Sequence, residues 1–166
     1  TSLPDLYGGF GTSFDFYGFD LSANFVYQIG GKVYDGDYAS SMASPDAQSV
    51  GRSIHKDMYN AWTPENNTSN YPRFVYGDQY TAASSDRFLM SASYLSLQNV
   101  NFGYTFPSKW MSKIGVARLR LYVAGENLWY ISARKGLDPR QSFTGGASAA
   151  YYSPIRTISG GVNLTF

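Results

Sequence analysis

Strict alternation of apolar and polar residues is the feature that most limits how this chain folds. In residues 7–16, Phe10, Phe14 and Phe16 share one parity, whereas the other parity holds Gly, Ser and Asp. A period of two places one set on each face of a β-strand. Residues 19–31 continue the pattern after the two-residue connection Tyr17–Gly18, and a turn of that length keeps both apolar sets on one side of a hairpin. The sequence therefore predicts antiparallel β-structure with one apolar face.

Five segments with this alternation are separated by short and long connections in turn. The strands are expected at about 7–16, 19–31, 88–106, 116–131 and 155–166, and the long loops at about 32–87 and 133–153. In the third segment the apolar parity changes between Leu97 and Val100. That change predicts either a β-bulge or a change of environment near Gln98–Asn99. In a β-bulge, an extra residue restores the apolar side chains to one face.

The two faces of these strands differ in charge. The apolar positions carry no ionisable residue, and the polar positions carry Asp15, Asp20, Arg118, Arg120 and Glu126. Lipid excludes charge from the outside of a membrane β-barrel while its watery lumen accepts charge. A soluble β-sandwich also keeps its core face uncharged, so the charge pattern alone leaves both architectures open.

Loop lengths favour the barrel. Outer-membrane barrels have short periplasmic turns, long extracellular loops and both chain ends in the periplasm. Counted back from Phe166 as a periplasmic end, the connections run long, short, long, short. We therefore expect an all-β fold of antiparallel transmembrane strands, with the five charged residues facing the lumen and Phe166 acting as the barrel assembly signal.

Composition supports the same class. Charged residues are 15% of the chain, against about 25% in ordinary soluble proteins, and aromatic residues reach 17%. No stretch approaches the roughly 18 consecutive apolar residues of a membrane helix. The net charge of +1 gives no reason to expect nucleic acid, and the absence of Cys excludes disulfides and thiolate metal sites.

The chain is expected to be the C-terminal piece of a larger barrel. Its first residues, TSLPDLYGGF, lack the basic and apolar regions of a signal peptide. Five strands also cannot close, since bacterial single-chain barrels have about eight strands or more and an open sheet edge is not viable in lipid.

The first long loop holds the candidate helix and the only histidine. Ser44 is the expected N-cap and Pro45 the first helical residue, with apolar residues at every fourth position from Val50 to Trp62. His55 lies beside Ser53 and Asp57 at spacings that do not form a catalytic triad.

Catalysis and cofactor binding have no support in the sequence. Asp35 and Asp37 flank a glycine, which favours a turn over a calcium loop because the rest of an EF-hand pattern is missing. No phosphate-binding loop, nucleotide fingerprint or nucleophile elbow is present. We predict no enzyme activity, no cofactor and no metal site.

Aromatic residues in the long loops are candidates for substrate or partner contacts. They are Tyr59, Trp62, Tyr71, Tyr76, Tyr80, Tyr151 and Tyr152. Such rings stack on sugars or anchor protein interfaces. The alternative is that they pack the loops together or lie in a membrane-interface girdle.

The segments YLSLQNVNFGYTFP, KWMSKIG, RLRLYVAGENL, KGLDP and SGGVNLTF occur in this order between Tyr94 and Phe166. Upstream lie GFDLSANFVYQIGGKVYD and WTPENNTSNYPRF. Taken together, the set resembles the SusC/RagA family of TonB-dependent outer-membrane transporters from Bacteroidota, over nearly the whole chain. One departure is Arg140, which follows Asp138–Pro139 where the family usually has an acid, so the resemblance implies no acidic role at that position.

The resemblance implies a barrel of about 22 strands with an N-terminal plug. It also implies coupling to the TonB complex through the upstream part of the protein, and a SusD-like surface lipoprotein as a lid over the remainder of the barrel. Implied substrates are glycans or peptides, and the implied location is the lipid of a Gram-negative outer membrane. The alternatives are another outer-membrane barrel, such as a pore or an adhesin, and a soluble β-rich binding module.

Overall fold

Antiparallel strand pairing dominates the fold. We describe the chain from a computed structural model, which covers residues 1–47, 50–141, 146–147 and 152–166. The strands are β1 (Leu6–Phe16), β2 (Phe19–Ile29), β3 (Lys32–Asp35), β4 (Leu89–Ser91), β5 (Tyr94–Thr105), β6 (Arg118–Ser132), β7 (Gly146–Ala147) and β8 (Thr157–Thr165). One sheet has five strands in the order β1-β2-β5-β6-β8, all antiparallel. A smaller sheet has the order β4-β3-β7.

The opening hairpin forms as the sequence predicts. Phe16 pairs with Phe19 across the Tyr17–Gly18 connection. Both connecting residues have positive φ, 47° at Tyr17 and 87° at Gly18, which is the backbone of a tight turn that matches the twist of the strands. The apolar sides of β1 and β2 therefore join, and Phe10 stacks on Phe25 with ring centroids 5.0 Å apart.

The predicted β-bulge is also confirmed. In the pairing of β5 with β2, the register shifts so that Asn99 faces Asn24 and Leu97 faces Phe25, which leaves Gln98 extra. The pairing of β5 with β6 shifts at the same place, near Asn127, whose φ is +51°. The irregularity returns Leu97 to the face it shares with Phe25.

The five-stranded sheet has two chemically distinct faces. Its apolar face includes Phe10, Phe25, Phe102, Leu121 and Leu164, and its polar face includes Asp20, Asn24, Asn101, Arg120 and Asn163. The apolar side chains are not buried: Phe14 is 63% exposed and Phe102 is 47% exposed. Within the described residues no second sheet packs on this face, so the fold differs from the β-sandwich that the sequence left open.

Short and long connections lie at opposite ends of the sheet. The Tyr17–Gly18 turn and the 106–117 connection form one end, here called the turn end. At the other end, residues 30–93 and 133–156, as far as the structure describes them, form what we call the loop layer. It contains β3, β4, β7 and helix α1 (Gly36–Met42).

Short 3-10 helices complete the loop layer and the turn end. Those of the loop layer are Lys56–Asn60, Gln79–Ala82, Asp86–Phe88 and Pro139–Gln141. At the turn end, helix α2 (Ser108–Met111) continues into the 3-10 helix Ser112–Ile114. None of the described helices is long and apolar enough to cross a membrane.

Most of the buried apolar side chains lie in the loop layer. One cluster contains Tyr38, Met42, Met58, Ala61 and Phe88, and a second contains Val33, Ala92 and Leu137. Met90 of β4 packs against both clusters. Strand β3 lies inside the region predicted as a single loop, and sequence alternation did not reveal it because it has only four residues. Strand β4 lies inside the strand predicted at 88–106, which the structure divides into β4 and β5.

The helix predicted from Ser44 is wrong. Residues 44–47 and 50–55 are turn and coil, and Gly51 has φ +87°. The spacing of four creates no buried stripe, since Val50 is 68% exposed and Ile54 46% exposed. The α-helix begins earlier, at Gly36, because the Asp35 carboxylate accepts a hydrogen bond from the Tyr38 N–H at 3.0 Å and caps it.

Candidate functional site

Two arginines from the 133–141 segment form charged contacts in the loop layer, and the second of them also reaches the sheet. The first, Arg134, donates from Nε to Asp35 Oδ2 at 2.9 Å, and its Nη2 contacts the same oxygen. Its guanidinium lies 4.4 Å from the centroid of the Tyr38 ring. Because Asp35 also caps α1, this contact, the Arg134 latch, ties the start of the helix to the end of β6.

The second contact, the Arg140 latch, is more deeply buried. Arg140 donates from Nε to Asp138 Oδ1 at 2.8 Å and from Nη2 to Asp138 Oδ2 at 2.7 Å. Its third nitrogen, Nη1, donates to Ser96 Oγ at 2.9 Å, and the guanidinium lies 4.5 Å from the Tyr130 ring centroid. The Asp138 side chain has 0% exposure, and Ser96 has 2%.

Electrostatics stabilise the charged form of this buried carboxylate. Burial by itself raises the pKa of Asp138, but the hydrogen bonds and charge of Arg140 outweigh it, so the pKa lies below its ordinary value. The Asp138 carboxylate in turn raises the pKa of Arg140. The pair is therefore ionised on both sides and bidentate, the geometry in which arginine binds carboxylates most strongly.

A cavity of about 260 Å³ lies beside the Arg140 latch, between the polar face and the loop layer. Its polar lining includes Gln28, Lys32, Tyr94, Gln98, Asn127 and Arg140. Its apolar lining comes from Leu3, Pro4, Val26 and Val33, among others. A lining of amides, hydroxyls, two cationic side chains and short apolar patches suits a hydrogen-bonding solute.

The sole histidine has a structural role. His55 Nδ1 accepts the Asp57 N–H at 3.2 Å, which caps the 3-10 helix Lys56–Asn60. Its ring packs edge-on against Tyr38 at 4.8 Å. The Tyr38 hydroxyl donates to Asp57 Oδ2 at 2.8 Å, and burial together with Asp57 raises the pKa of Tyr38 far above its usual range. No cluster of potential metal ligands occurs within the described residues.

The loop aromatics divide into exposed and packed groups. Tyr59, Tyr80 and Tyr152 are 91%, 90% and 97% exposed, and Tyr76 and Trp62 are 64% and 41% exposed. Tyr71 instead packs on the cluster around Tyr38 and forms an isolated bridge with Ala61. Tyr151 lies outside the described residues. Tyr59 and Tyr80 thus present nearly whole rings, the property a contact residue needs.

The predicted lumen-facing residues all lie on the polar face. They are Asp15, Asp20, Arg118, Arg120 and Glu126. Arg120 Nε donates to Asp20 Oδ1 at 2.8 Å, and its Nη2 contacts Asp20 and reaches Asn101 Oδ1 at 3.2 Å. The guanidinium lies flat over Gly103, where an added Cβ would come within 2.4 Å of it. Phe166 follows β8 at the turn end and is 87% exposed.

Sequence reasoning missed both latches. Arg140 was noted only because it departs from a family pattern, and Asp35 was not matched with Arg134. The partners are remote in sequence, 44 residues apart for Arg140 with Ser96 and 99 for Arg134 with Asp35. The one local sign was the Asp-Pro-Arg order at 138–140, which sets a carboxylate and a guanidinium two residues apart.

Comparison with known proteins gives one relative over nearly the full chain and another over about half of it. No family model matches. TonB-dependent receptor P3 of Formosa agariphila is 28% identical over 173 aligned residues, which cover 98% of this chain and 16% of the relative. TonB-dependent receptor SusC of Bacteroides thetaiotaomicron is 36% identical over 84 residues, 49% of this chain and 8% of the relative. The chain thus spans about 16% of the length of the first of these relatives.

A solved structure described as the RagAB peptide transporter has the same fold. The superposition has a TM-score of 0.82 at 23% identity and covers 100% of this chain and 18% of that chain. The open five-stranded sheet and its loop layer together therefore match a segment of a much larger β-structure.

Proposed function

We propose that the chain belongs to the SusC/RagA family of TonB-dependent receptors and forms the C-terminal part of the barrel wall of an outer-membrane nutrient importer. The observation that carries the proposal is the exposed, uncharged apolar face opposite a polar face with the Asp20–Arg120 pair. A lipid exterior and a watery lumen account for both faces.

Strand length supports a membrane span. Strands β1 and β2 have 11 residues each, and a tilted transmembrane strand needs about 9–11 residues. Among the described strands, β1 and β8 each pair on one side only. Lipid does not tolerate unpaired strand edges, so further strands of the same receptor complete the barrel at both edges.

In this orientation the turn end faces the periplasm and the loop layer faces the outside. Phe166 then lies at the periplasmic end of β8, where we propose that it serves as the assembly signal. The exposed rings of Tyr59 and Tyr80 lie at the extracellular end, available to a SusD-like lid lipoprotein or to the substrate. Energy from the TonB complex enters through a part of the receptor outside this chain.

The transported class is a glycan or a peptide, and the chain supplies no catalysis. Support for a peptide comes from the RagAB structure, which is described as a peptide transporter. Support for an importer over a pore or an adhesin comes from the relatives, which are named as TonB-dependent receptors.

A paired substitution tests the partner surface. In the full-length receptor, Tyr59→Ala with Tyr80→Ala removes two exposed rings without touching the buried clusters. We expect capture of the lid lipoprotein and substrate uptake both to fall, while receptor abundance stays constant. The matched control is Tyr17→Asn at the turn end, a tyrosine that is 86% exposed, and Asn tolerates its positive φ. Equal capture and uptake in all three proteins would contradict the partner surface.

A further inference from the structure

The connection between β5 and β6 exposes apolar side chains beside cations. Along the helical segment Ser108–Ile114, Trp110 is 57% exposed and Ile114 66% exposed. Lys109 and Lys113 directly precede them and are also exposed. Residues four apart lie on the same side of a helix, so the segment presents a Trp–Ile row next to a Lys–Lys row.

This turn is anchored and is not a loose loop. Met111 and Val116 are buried, at 8% and 9% exposure. The Val116 N–H donates to the Met111 carbonyl at 3.1 Å, and the Ala117 N–H donates to the Thr165 carbonyl at 2.8 Å. The inner side of the turn is therefore held against the ends of β6 and β8, which leaves Trp110 and Ile114 on the outer side.

Aromatic rings of the sheet lead up to the turn. Phe106 directly precedes it and packs on Tyr104 at 5.0 Å, and Tyr104 packs on Phe19 at 4.5 Å. The neighbouring turn is joined to this strand by the hydrogen bond from the Thr105 N–H to the Gly18 carbonyl at 2.7 Å. Trp and Tyr are enriched where a membrane meets water, so the turn end carries the composition of an interfacial belt.

We infer that the 107–115 turn binds anionic phospholipid headgroups of the leaflet at the turn end. The inference rests on the proposed function, which places the apolar face in lipid. Trp110 and Ile114 enter the headgroup region, and Lys109 and Lys113 meet lipid phosphates. Neither lysine forms an ion pair with a carboxylate of the described residues, so both ammonium groups are available.

The position of the turn is measured with a fluorophore on Ile114→Cys. A full-length receptor from which every other cysteine has been removed is placed in nanodiscs that contain phosphatidylglycerol. The nanodiscs also contain lipids spin-labelled at the headgroup or in the acyl chain. We expect headgroup labels to quench the fluorophore strongly and acyl labels weakly. A fluorophore on Phe102→Cys, in the middle of the apolar face, is expected to be quenched by the acyl-chain spin labels. A fluorophore on Tyr59→Cys is expected to be quenched by neither kind of spin label.

The outcomes distinguish the two proposals. If the fluorophore at position 102 is quenched and the one at position 114 is not, the headgroup site is overturned and the proposed membrane placement of the sheet stands. Absence of quenching at Phe102 overturns the membrane placement of the sheet, and the headgroup site with it.

The contribution of the two positive charges to lipid binding is tested by Lys109→Gln with Lys113→Gln, which neutralises both. The ratio of phosphatidylglycerol to phosphatidylcholine retained by the purified receptor should fall by about fivefold for each lysine. The matched control is Arg52→Gln with Lys56→Gln, two exposed cations of the loop layer, which should leave the ratio unchanged. An unchanged ratio in the turn variant, or an equal fall in both variants, overturns the role of these lysines.

Discussion

The five-stranded sheet and the loop layer place their apolar side chains in opposite ways. In the sheet, Phe14, Phe102 and Leu121 point outward and stay 63%, 47% and 42% exposed. In the loop layer, Met42 and Phe88 are 2% and 3% exposed. The sheet is held by the backbone hydrogen bonds between its strands and by the medium that covers its apolar face. The loop layer instead has an internal apolar core, of the kind that proteins form in water.

Under the proposed function, this difference means that one chain segment is adapted to lipid in its sheet and to water in its loop layer. The boundary between them lies at the arginine latches: Arg134 holds the start of α1 near the end of β6, and Arg140 joins the loop layer to Ser96 of β5 and Tyr130 of β6. A change in a latch or in the loop core should therefore loosen the loop layer alone, and a change on the apolar face should affect the sheet alone.

The largest effect is expected from Asp138→Ala. It leaves the Arg140 guanidinium buried without its carboxylate, and breaking a buried pair costs about 3–5 kcal/mol. Hydrogen exchange in the full-length receptor should show faster exchange of amides 133–141, while amides of β5 and β6 stay protected. The exposed neighbour Lys135→Ala is the control and should exchange like the parent. Loss of protection in both regions would show that sheet and loop layer unfold together.

The next effect is expected from Met42→Ala, in the core of the loop layer. Removing a buried Met side chain costs about 2–5 kcal/mol. Proteolysis within residues 50–87 should become faster, and the heat resistance of the folded barrel should stay unchanged. If the barrel melts earlier and the loops are cleaved at the parental rate, the division between the two regions is wrong.

Neighbouring arginine substitutions sharpen the sheet side of the comparison. Val123 lies on the apolar face and is 53% exposed, and Ala124 lies on the polar face. An arginine facing lipid at the midplane costs about 2–4 kcal/mol, so Val123→Arg should lower the unfolding free energy in bilayers by that amount. Ala124→Arg, with the same charge one residue away, should change it little. If both substitutions lowered the unfolding free energy equally, the proposal that Val123 faces lipid and Ala124 does not would be contradicted.

The smallest effect concerns pH. The folded pKa of Asp138 lies below the ordinary value of 3.8, so its ionisation stabilises the Arg140 latch above that pH. This stabilisation is lost as the pH falls through the lowered pKa. Loop proteolysis by an acid-stable protease should therefore stay constant from neutral pH to about pH 4 and rise only below it. Asp138→Asn should remove the acid-dependent rise, and a rise that persists would assign it to another group.

The sheet was predictable from sequence because a period of two is a local property. The hairpin at Tyr17–Gly18 and the bulge at Gln98 each leave a mark within a few residues. The loop layer was less predictable, because its stability depends on contacts such as Arg134 with Asp35, 99 residues apart. The helix expected at Ser44 illustrates the error. Apolar residues recur there at every fourth position, but the helix that forms is Gly36–Met42, which Asp35 caps.

The candidate contact residues were predictable only as a class. Composition identified the loop aromatics, and the structure separates the exposed Tyr59 and Tyr80 from the packed Tyr71. No local pattern marks that difference, because the packing of Tyr71 depends on Tyr38 and Met58 from other segments.

The most direct test of the account is thiol accessibility along β5 in outer membranes that contain the full-length receptor. Single cysteines replace Val100 and Phe102 on the apolar face and Asn99 on the polar face. The account predicts that a water-soluble maleimide labels the third position and neither of the first two, because lipid excludes the reagent and disfavours the thiolate that reacts with it. Labelling of all three positions by the water-soluble reagent, with no alternation, would contradict a barrel wall with lipid on one face and water on the other.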